Sequence, residues 1–129
     1  MLDCIIIGSG VAGVSAGLTL KANNKSFMIF GSASLSEKIE KAELIRNYTG
    51  LSNITGKAFA KAIQAQLKEA EITIQEGKVS GVYALNDKFG VATQEGGYYE
   101  SKTIILFQLF LNIAKDICED VSIFSYFIC

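Results

Sequence analysis

Nine residues near the start, Ile5-Ile6-Ile7-Gly8-Ser9-Gly10-Val11-Ala12-Gly13, constrain this chain more than any other stretch of its 129 residues. A short apolar run that begins at Cys4 breaks into a glycine-rich turn, and the turn leads into helix-compatible sequence. Strand, glycine turn and helix start in that order form the device that cradles a dinucleotide pyrophosphate. Gly8 lets the chain leave the strand in a tight turn. Gly10, with no Cβ, lets a phosphate approach the backbone, and Gly13 lets the helix pack close to the strand. Ser9 and Ala12 complete the turn. Unpaired N–H groups at the helix start and the positive end of the helix dipole then face the anion. The competing reading is a chance glycine cluster in a loop, and the apolar strand directly before it weighs against that.

Composition narrows what else the chain can do. Its length suits one domain, and half of its residues are hydrophobic, which excludes a disordered chain. Twelve basic and 13 acidic residues give a net charge of −1 with no basic run, so nucleic acid is a poor partner. There is no histidine, and therefore no imidazole base, His-ligated metal or Ser-His-Asp triad. Cys4, Cys118 and Cys129 are scattered and form neither a CxxC nor a zinc spacing. Cys4, on a core strand, reads as a small buried hydrophobe. The start lacks the basic segment of a signal peptide, and no stretch reaches the roughly 18 apolar residues of a membrane span. The expected location is the reducing cytoplasm.

Along the chain, Val11 to about Ala22 reads as a helix of small and apolar residues. Ser26 to Phe30 follows as a second, nearly continuous apolar strand, the kind found in a parallel sheet covered on both faces. The segment 31–55 is rich in loops, with a short helix expected around Ser36–Ile45. Thr55 then caps an amphipathic helix to about Glu71, with Phe59, Ile63, Leu67 and Ala70 on one face. A third strand is expected at 72–76. From Lys78 to about Tyr99 short strands alternate with tight turns at Asn86-Asp87 and Gly96-Gly97, which predicts an antiparallel meander. Thr103 to Leu106 is apolar again and returns to the parallel sheet.

With these elements assembled, the chain resembles the N-terminal part of the FAD-binding domain of the thioredoxin reductase family, from about Leu2 to Leu106. Besides the glycine turn, the resemblance rests on Lys41-Ala42-Glu43-Leu44-Ile45-Arg46-Asn47-Tyr48-Thr49-Gly50. This stretch is similar to the family's K-A-E-x-I-x-N-Y-x-G segment, whose asparagine contacts the flavin. Thr55-Gly56-Lys57-Ala58-Phe59 is similar to the helix start that follows. The resemblance implies that Asn47 meets the edge of an isoalloxazine ring, which its donor and acceptor atoms suit; a turn-forming asparagine is the alternative. It also places Val79 where backbone meets adenine, against an alternative of ordinary strand packing. The departures are definite. Gly31 stands where the second strand should end in an acidic residue for the adenosine ribose, although some members of the family also carry glycine there. Phe107-Gln108-Leu109 stands in place of the family's A-T-G, and the CxxC dithiol and the nicotinamide-binding domain have no counterpart.

The expected architecture is therefore an incomplete Rossmann-like FAD/NAD(P)-binding α/β fold of three layers. Four parallel strands (about 3–7, 26–30, 72–76 and 103–106) carry helices on one side and a three-stranded β-meander on the other. Residues 1–106 form this dinucleotide-binding part. Residues 107–129 form an atypical apolar tail, read as a packed helix and strand, an aggregation hazard, or the product of a truncated or frame-shifted gene. The expected function is that of a truncated thioredoxin-reductase-like flavoprotein fragment. It would bind FAD weakly through Gly8, Ser9, Gly10, Ala12, Gly13, Asn47 and Val79, at micromolar affinity or weaker, about −8 kcal/mol. NADPH is not expected on this chain, and neither a catalytic residue nor a metal ligand can be named. The resemblance alone implies a homodimer or a thioredoxin-like partner. The alternatives are a nucleotide-binding module without turnover and a degenerate product with no function.

Overall fold

The first strand, β1 (Leu2–Ile7), carries Cys4, Ile5, Ile6 and Ile7 with at most 2% of their surface exposed. A run buried on both sides has no solvent face, so β1 must sit at the centre of a covered sheet, and it does. The computed structural model describes residues 1–33 and 37–107. Within them β1 pairs in parallel with β2 (Phe27–Phe30) on one side and with β6 (Tyr98–Leu106) on the other. The sheet is completed by β3 (Ile74–Gln75), β4 (Val79–Leu85) and β5 (Lys88–Thr93), in the order β3-β2-β1-β6-β5-β4. Strands β3, β2, β1 and β6 are parallel, whereas β4, β5 and the start of β6 form an antiparallel meander.

Alternation along the central strands sorts their side chains into two cores. Cys4 and Ile6 of β1 and Ile29 of β2 pack with Val14 of α1 (Val11–Ala22) and with Phe59, Ala60, Ile63 and Leu67 of α3 (Gly56–Glu69). Ile5 and Ile7 of β1 and Phe30 of β2 pack instead with Val79, Val82 and Val91 of the meander. Phe30 also meets the Tyr99 ring edge-on, with centroids 5.1 Å apart. Helices therefore cover one face of the parallel sheet and the meander covers the other, giving the three layers the sequence predicts. Each isoleucine of β1 contributes on the order of 1.5–3 kcal/mol by leaving water.

The helix boundaries follow local chemistry. Helix α1 spans Val11–Ala22 and buries Gly13, Val14 and Gly17 against the sheet. Helix α3 begins after Thr55, whose hydroxyl accepts from the Ala58 N–H at 3.2 Å. Among the described residues α2 occupies Glu37–Glu40 and ends before the Ile45 expected from the sequence. Ile72, expected in the third strand, packs into the helix-side core ahead of a strand reduced to Ile74–Gln75.

The larger difference lies in β6. The sequence divides it into a meander strand near Tyr98-Tyr99 and a separate strand at 103–106, because Glu100, Ser101 and Lys102 interrupt the apolar pattern. The structure runs one strand through all nine residues. Ser101 is where the two pairings meet: it lies opposite Phe89 in the meander and opposite Leu2 in the parallel sheet. It is fully buried, and its hydroxyl is satisfied by donating to the Thr103 carbonyl at 2.8 Å. The expected conformation of the tail after Phe107 lies outside the described residues. Among the described residues no helix is long and apolar enough to cross a membrane.

Candidate dinucleotide site at the carboxyl ends of the parallel strands

At the end of β1 the chain enters the glycine turn in a conformation that L side chains rarely adopt: Gly8 has φ of 120°. Its N–H donates to the Phe30 carbonyl at 2.8 Å, which pins the turn to the end of β2. Gly10 is the N-cap of α1, and the first helical bond runs from the Val14 N–H to the Gly10 carbonyl at 3.0 Å. The amides of Val11, Ala12 and Gly13 precede that bond and have no acceptor within the helix. The first turn of α1 holds no acidic residue. No acidic side chain of that turn opposes its dipole and amides, which suit an anion.

The three glycines of the turn differ sharply in their surroundings. A Cβ at Gly13 would overlap the Gly8 carbonyl oxygen and approach the Ile6 side chain at 3.5 Å. Gly13 is thus dictated by helix–strand packing. A Cβ at Gly10 would meet nothing within 4 Å. The fold does not need a glycine at that position, and the open space beside its backbone is what an approaching phosphate requires. Gly8 is set by its φ.

The remaining candidates fall into two groups. Ser9 is nearly buried, and its hydroxyl donates to the Ser32 carbonyl at 2.8 Å. This ties the turn to the residues that follow β2. Val79 is 4% exposed and packs in the meander-side core with Ile7 and Phe30, the residues that immediately precede Gly8 and Gly31. Its side chain packs as core. Asn47 is not drawn into this group. It is exposed, in a loop closed by isolated bridges between Ile45 and Ile54 and between Tyr48 and Leu51. Ile45 and Ile54 pack on the helix-side core, and the Tyr48 ring lies 4.8 Å from that of Phe59. The loop is thereby anchored on both flanks of an exposed Asn47.

Sequence reasoning missed the contact between Ser9 and Gly31. The two residues are adjacent in space because Gly8 is bonded to Phe30, and two small residues at the ends of neighbouring strands were the available signal. Nothing among the described residues supplies a reactive thiol: Cys4 is buried, and that burial pushes its thiol pKa up, away from the thiolate. No group of acidic or cysteine side chains among the described residues is arranged to hold a metal.

Comparison with known proteins agrees with this geometry. No protein-family model matches the chain. It is 28% identical over 108 residues to a thioredoxin reductase of Helicobacter pylori, covering 82% of this chain and 35% of that protein. It is 31% identical over 111 residues to a thioredoxin reductase of Aquifex aeolicus, covering 81% and 32%. Among solved structures, a ferredoxin-flavin thioredoxin reductase from Clostridium acetobutylicum superimposes with a TM-score of 0.77 at 38% identity, covering 81% of this chain and 36% of that one. The chain spans about a third of the length of the curated relatives it matches. In sequence and in its mixed six-stranded sheet it is a relative of the thioredoxin reductases, with part of their Rossmann-like FAD-binding fold.

Proposed function

We propose that this chain binds the ADP portion of FAD at the Gly8–Gly13 turn and contributes that site to a flavin-dependent oxidoreductase. The observation that carries the reading is the open space at Gly10, set between a strained Gly8 and a packed Gly13. A turn built only to connect a strand to a helix has no reason to keep a glycine where a Cβ meets nothing. In this reading Ser9, Gly10, Ala12 and Gly13 line the pyrophosphate with backbone, and Asn47 offers its amide to the flavin ring. Val79 supplies backbone near the adenine. When bound, the flavin carries the electrons; the protein positions it and excludes competing reactions. Disulfide reduction through a thioredoxin-like partner, homodimer formation and a cytoplasmic location extend the same reading from the relatives.

A second reading, a dinucleotide-binding module without turnover, is favoured by the state of Cys4, the one cysteine among the described residues. It is buried with a raised pKa and is unsuited to thiol exchange. The visible absorption spectrum of the purified protein after incubation with FAD and gel filtration tests both. A flavin spectrum bleached by dithionite or a reduced nicotinamide supports the oxidoreductase. Nucleotide binding in titration without redox response supports the module. A protein that binds neither FAD nor any adenine dinucleotide overturns both.

A further inference from the structure

A second tight approach around the turn involves Gly31, the residue that follows β2. Its N–H donates to the Gln75 carbonyl at 3.1 Å, which fixes it against the end of β3. A Cβ at this position would overlap the Ser9 hydroxyl and lie 2.8 Å from the Ser9 backbone nitrogen. Ser9 is in turn held by its bond to the Ser32 carbonyl and by the neighbouring bond from Gly8 to Phe30. The Ser9 nitrogen is backbone and cannot rotate aside as a side-chain end could. In dinucleotide folds of this type a carboxylate at the end of the second strand grips the ribose hydroxyls and repels a phosphate attached to them. Here that side chain is excluded as well as absent.

We propose that Ser9 and Gly31 act as a pair that sets ribose specificity: the Ser9 hydroxyl, locked on the Ser32 carbonyl, fills the room that a carboxylate from position 31 would need, so that the site admits an adenosine ribose bearing a 2′-phosphate as readily as a free one. The inference rests on the dinucleotide reading above and deepens it. The ligand class is then adenine dinucleotides in general, held through pyrophosphate and adenine and not through the ribose hydroxyls. Glu76 follows β3, one strand further out from Gly31.

The test compares ADP-ribose with its 2′-phosphate by calorimetric titration of the full chain, alongside thermal melting of Gly31→Glu, Ser9→Gly and the double variant. Wild type should bind the two ligands within about threefold of each other. Gly31→Glu should melt well below wild type, and Ser9→Gly in the same chain should recover at least half of that loss. The double variant should prefer ADP-ribose tenfold or more. A tenfold preference for ADP-ribose in wild type overturns the inference while leaving the dinucleotide reading intact; its loss in Glu76→Gln would assign the carboxylate to β3. A Gly31→Glu protein as stable as wild type also overturns it, because Ser9 would then not occupy the space. If FAD binds and neither adenine fragment does, the adenosine end is not recognised and the inference falls. If FAD itself does not bind, the dinucleotide reading fails first, and the melting data still judge the Ser9–Gly31 contact on its own.

Discussion

The two ends of the parallel sheet are built from the same strands in different proportions of side chain and backbone. At the amino ends of β1 and β2, beside the middle of β6, side chains add to the backbone bonds from Asp3 and Cys4 to the Ser26 carbonyl. The Asp3 carboxylate accepts from the Ser26 N–H at 3.0 Å, the Ser26 hydroxyl at 2.8 Å and the Lys102 ammonium at 2.7 Å, and the Thr103 hydroxyl donates to the Asp3 carbonyl at 2.8 Å. At the carboxyl ends the joining is mostly backbone, Gly8 to Phe30, Gly31 to Gln75 and Phe107 to Ile7, with the Ser9 hydroxyl on the Ser32 carbonyl beside it. Around the turn Gly8, Ser9, Gly10, Gly31 and Ser32 are small, and space remains beside Gly10. One end satisfies its polar groups internally; the other leaves the first amides of a helix without helical acceptors. That asymmetry matches the rule that open α/β sheets bind ligands outside the carboxyl ends of their strands.

The largest expected effect comes from breaking the carboxyl end where packing and binding overlap. Gly13→Val drives a side chain into the Gly8 carbonyl, which is backbone and cannot rotate aside. Overpacking of this kind costs about 2–3 kcal/mol, roughly 10 °C or more of melting temperature in a domain this size, and ligand binding should be lost with it. Circular dichroism melting checks this. A Gly13→Ala protein that melts within about 2 °C of wild type, given the general scaling of stability with melting temperature, would show that the turn is not set by packing.

Gly10→Val separates the two roles. The added side chain meets open space, so stability should fall far less than in Gly13→Val, by no more than the ~1 kcal/mol that a poorer N-cap costs. FAD affinity should drop at least tenfold, equivalent to ~1.4 kcal/mol. Titration and melting on the same preparation decide the matter. Unchanged FAD affinity would make the carboxyl end a connector only and remove the contrast with the amino end.

The parts of this molecule that were legible in sequence are those in which one residue type serves one local constraint. Continuous isoleucine in β1 demanded a sheet covered on both faces, and Gly8 and Gly13 fell where a turn and a close helix require them. Thr55 announced α3 by its capping hydroxyl. What was not legible depends on pairing between distant residues. The continuity of β6 through Glu100, Ser101 and Lys102 follows from partners on two other strands, and a polar tripeptide alone reads as a break. The exclusion of an acidic side chain at Gly31 requires knowing that Ser9 lies against it, 22 residues earlier in the chain. Asn47 was suggested by resemblance to a motif; its exposure on an anchored loop is compatible with a ligand contact and is equally natural for a turn.

Asn47 belongs to neither end of the sheet, so its substitution sharpens the comparison. Asn47→Ala removes a side chain on the loop between 41 and 54 without touching either core. FAD affinity should fall about threefold, the scale of one hydrogen bond of modest net strength, while affinity for ADP-ribose and the melting temperature stay as they were. Equal losses for both ligands would place Asn47 at the adenosine end or on the fold itself.

The smallest effect is expected at the amino end, and its pH dependence has a definite sign. The hydrogen bond from Lys102, joined by those from the Ser26 N–H and hydroxyl, holds the Asp3 carboxyl well below its ordinary value of 3.8. A carboxylate whose pKa is lowered in the folded state stabilises the protein above its unfolded pKa, and that stabilisation is lost as pH falls through the folded value. Asp3→Asn should therefore melt a few degrees below wild type at pH 7, a shift kept small by the solvent exposure of the Lys102–Asp3 pair. The gap should hold down to about pH 5 and narrow below about pH 4, as Asp3 begins to protonate in the unfolded chain. Raising the pH from 7 to 8 should leave it unchanged. Through all of this FAD affinity should be that of wild type, because the clasp lies at the opposite end of the strands from Gly10. A gap that persists undiminished in acid would mean that Asp3 acts by shape and not by charge. A loss of FAD affinity would mean that the two ends are coupled through β1, and the division between a closed end and a binding end would have to be abandoned.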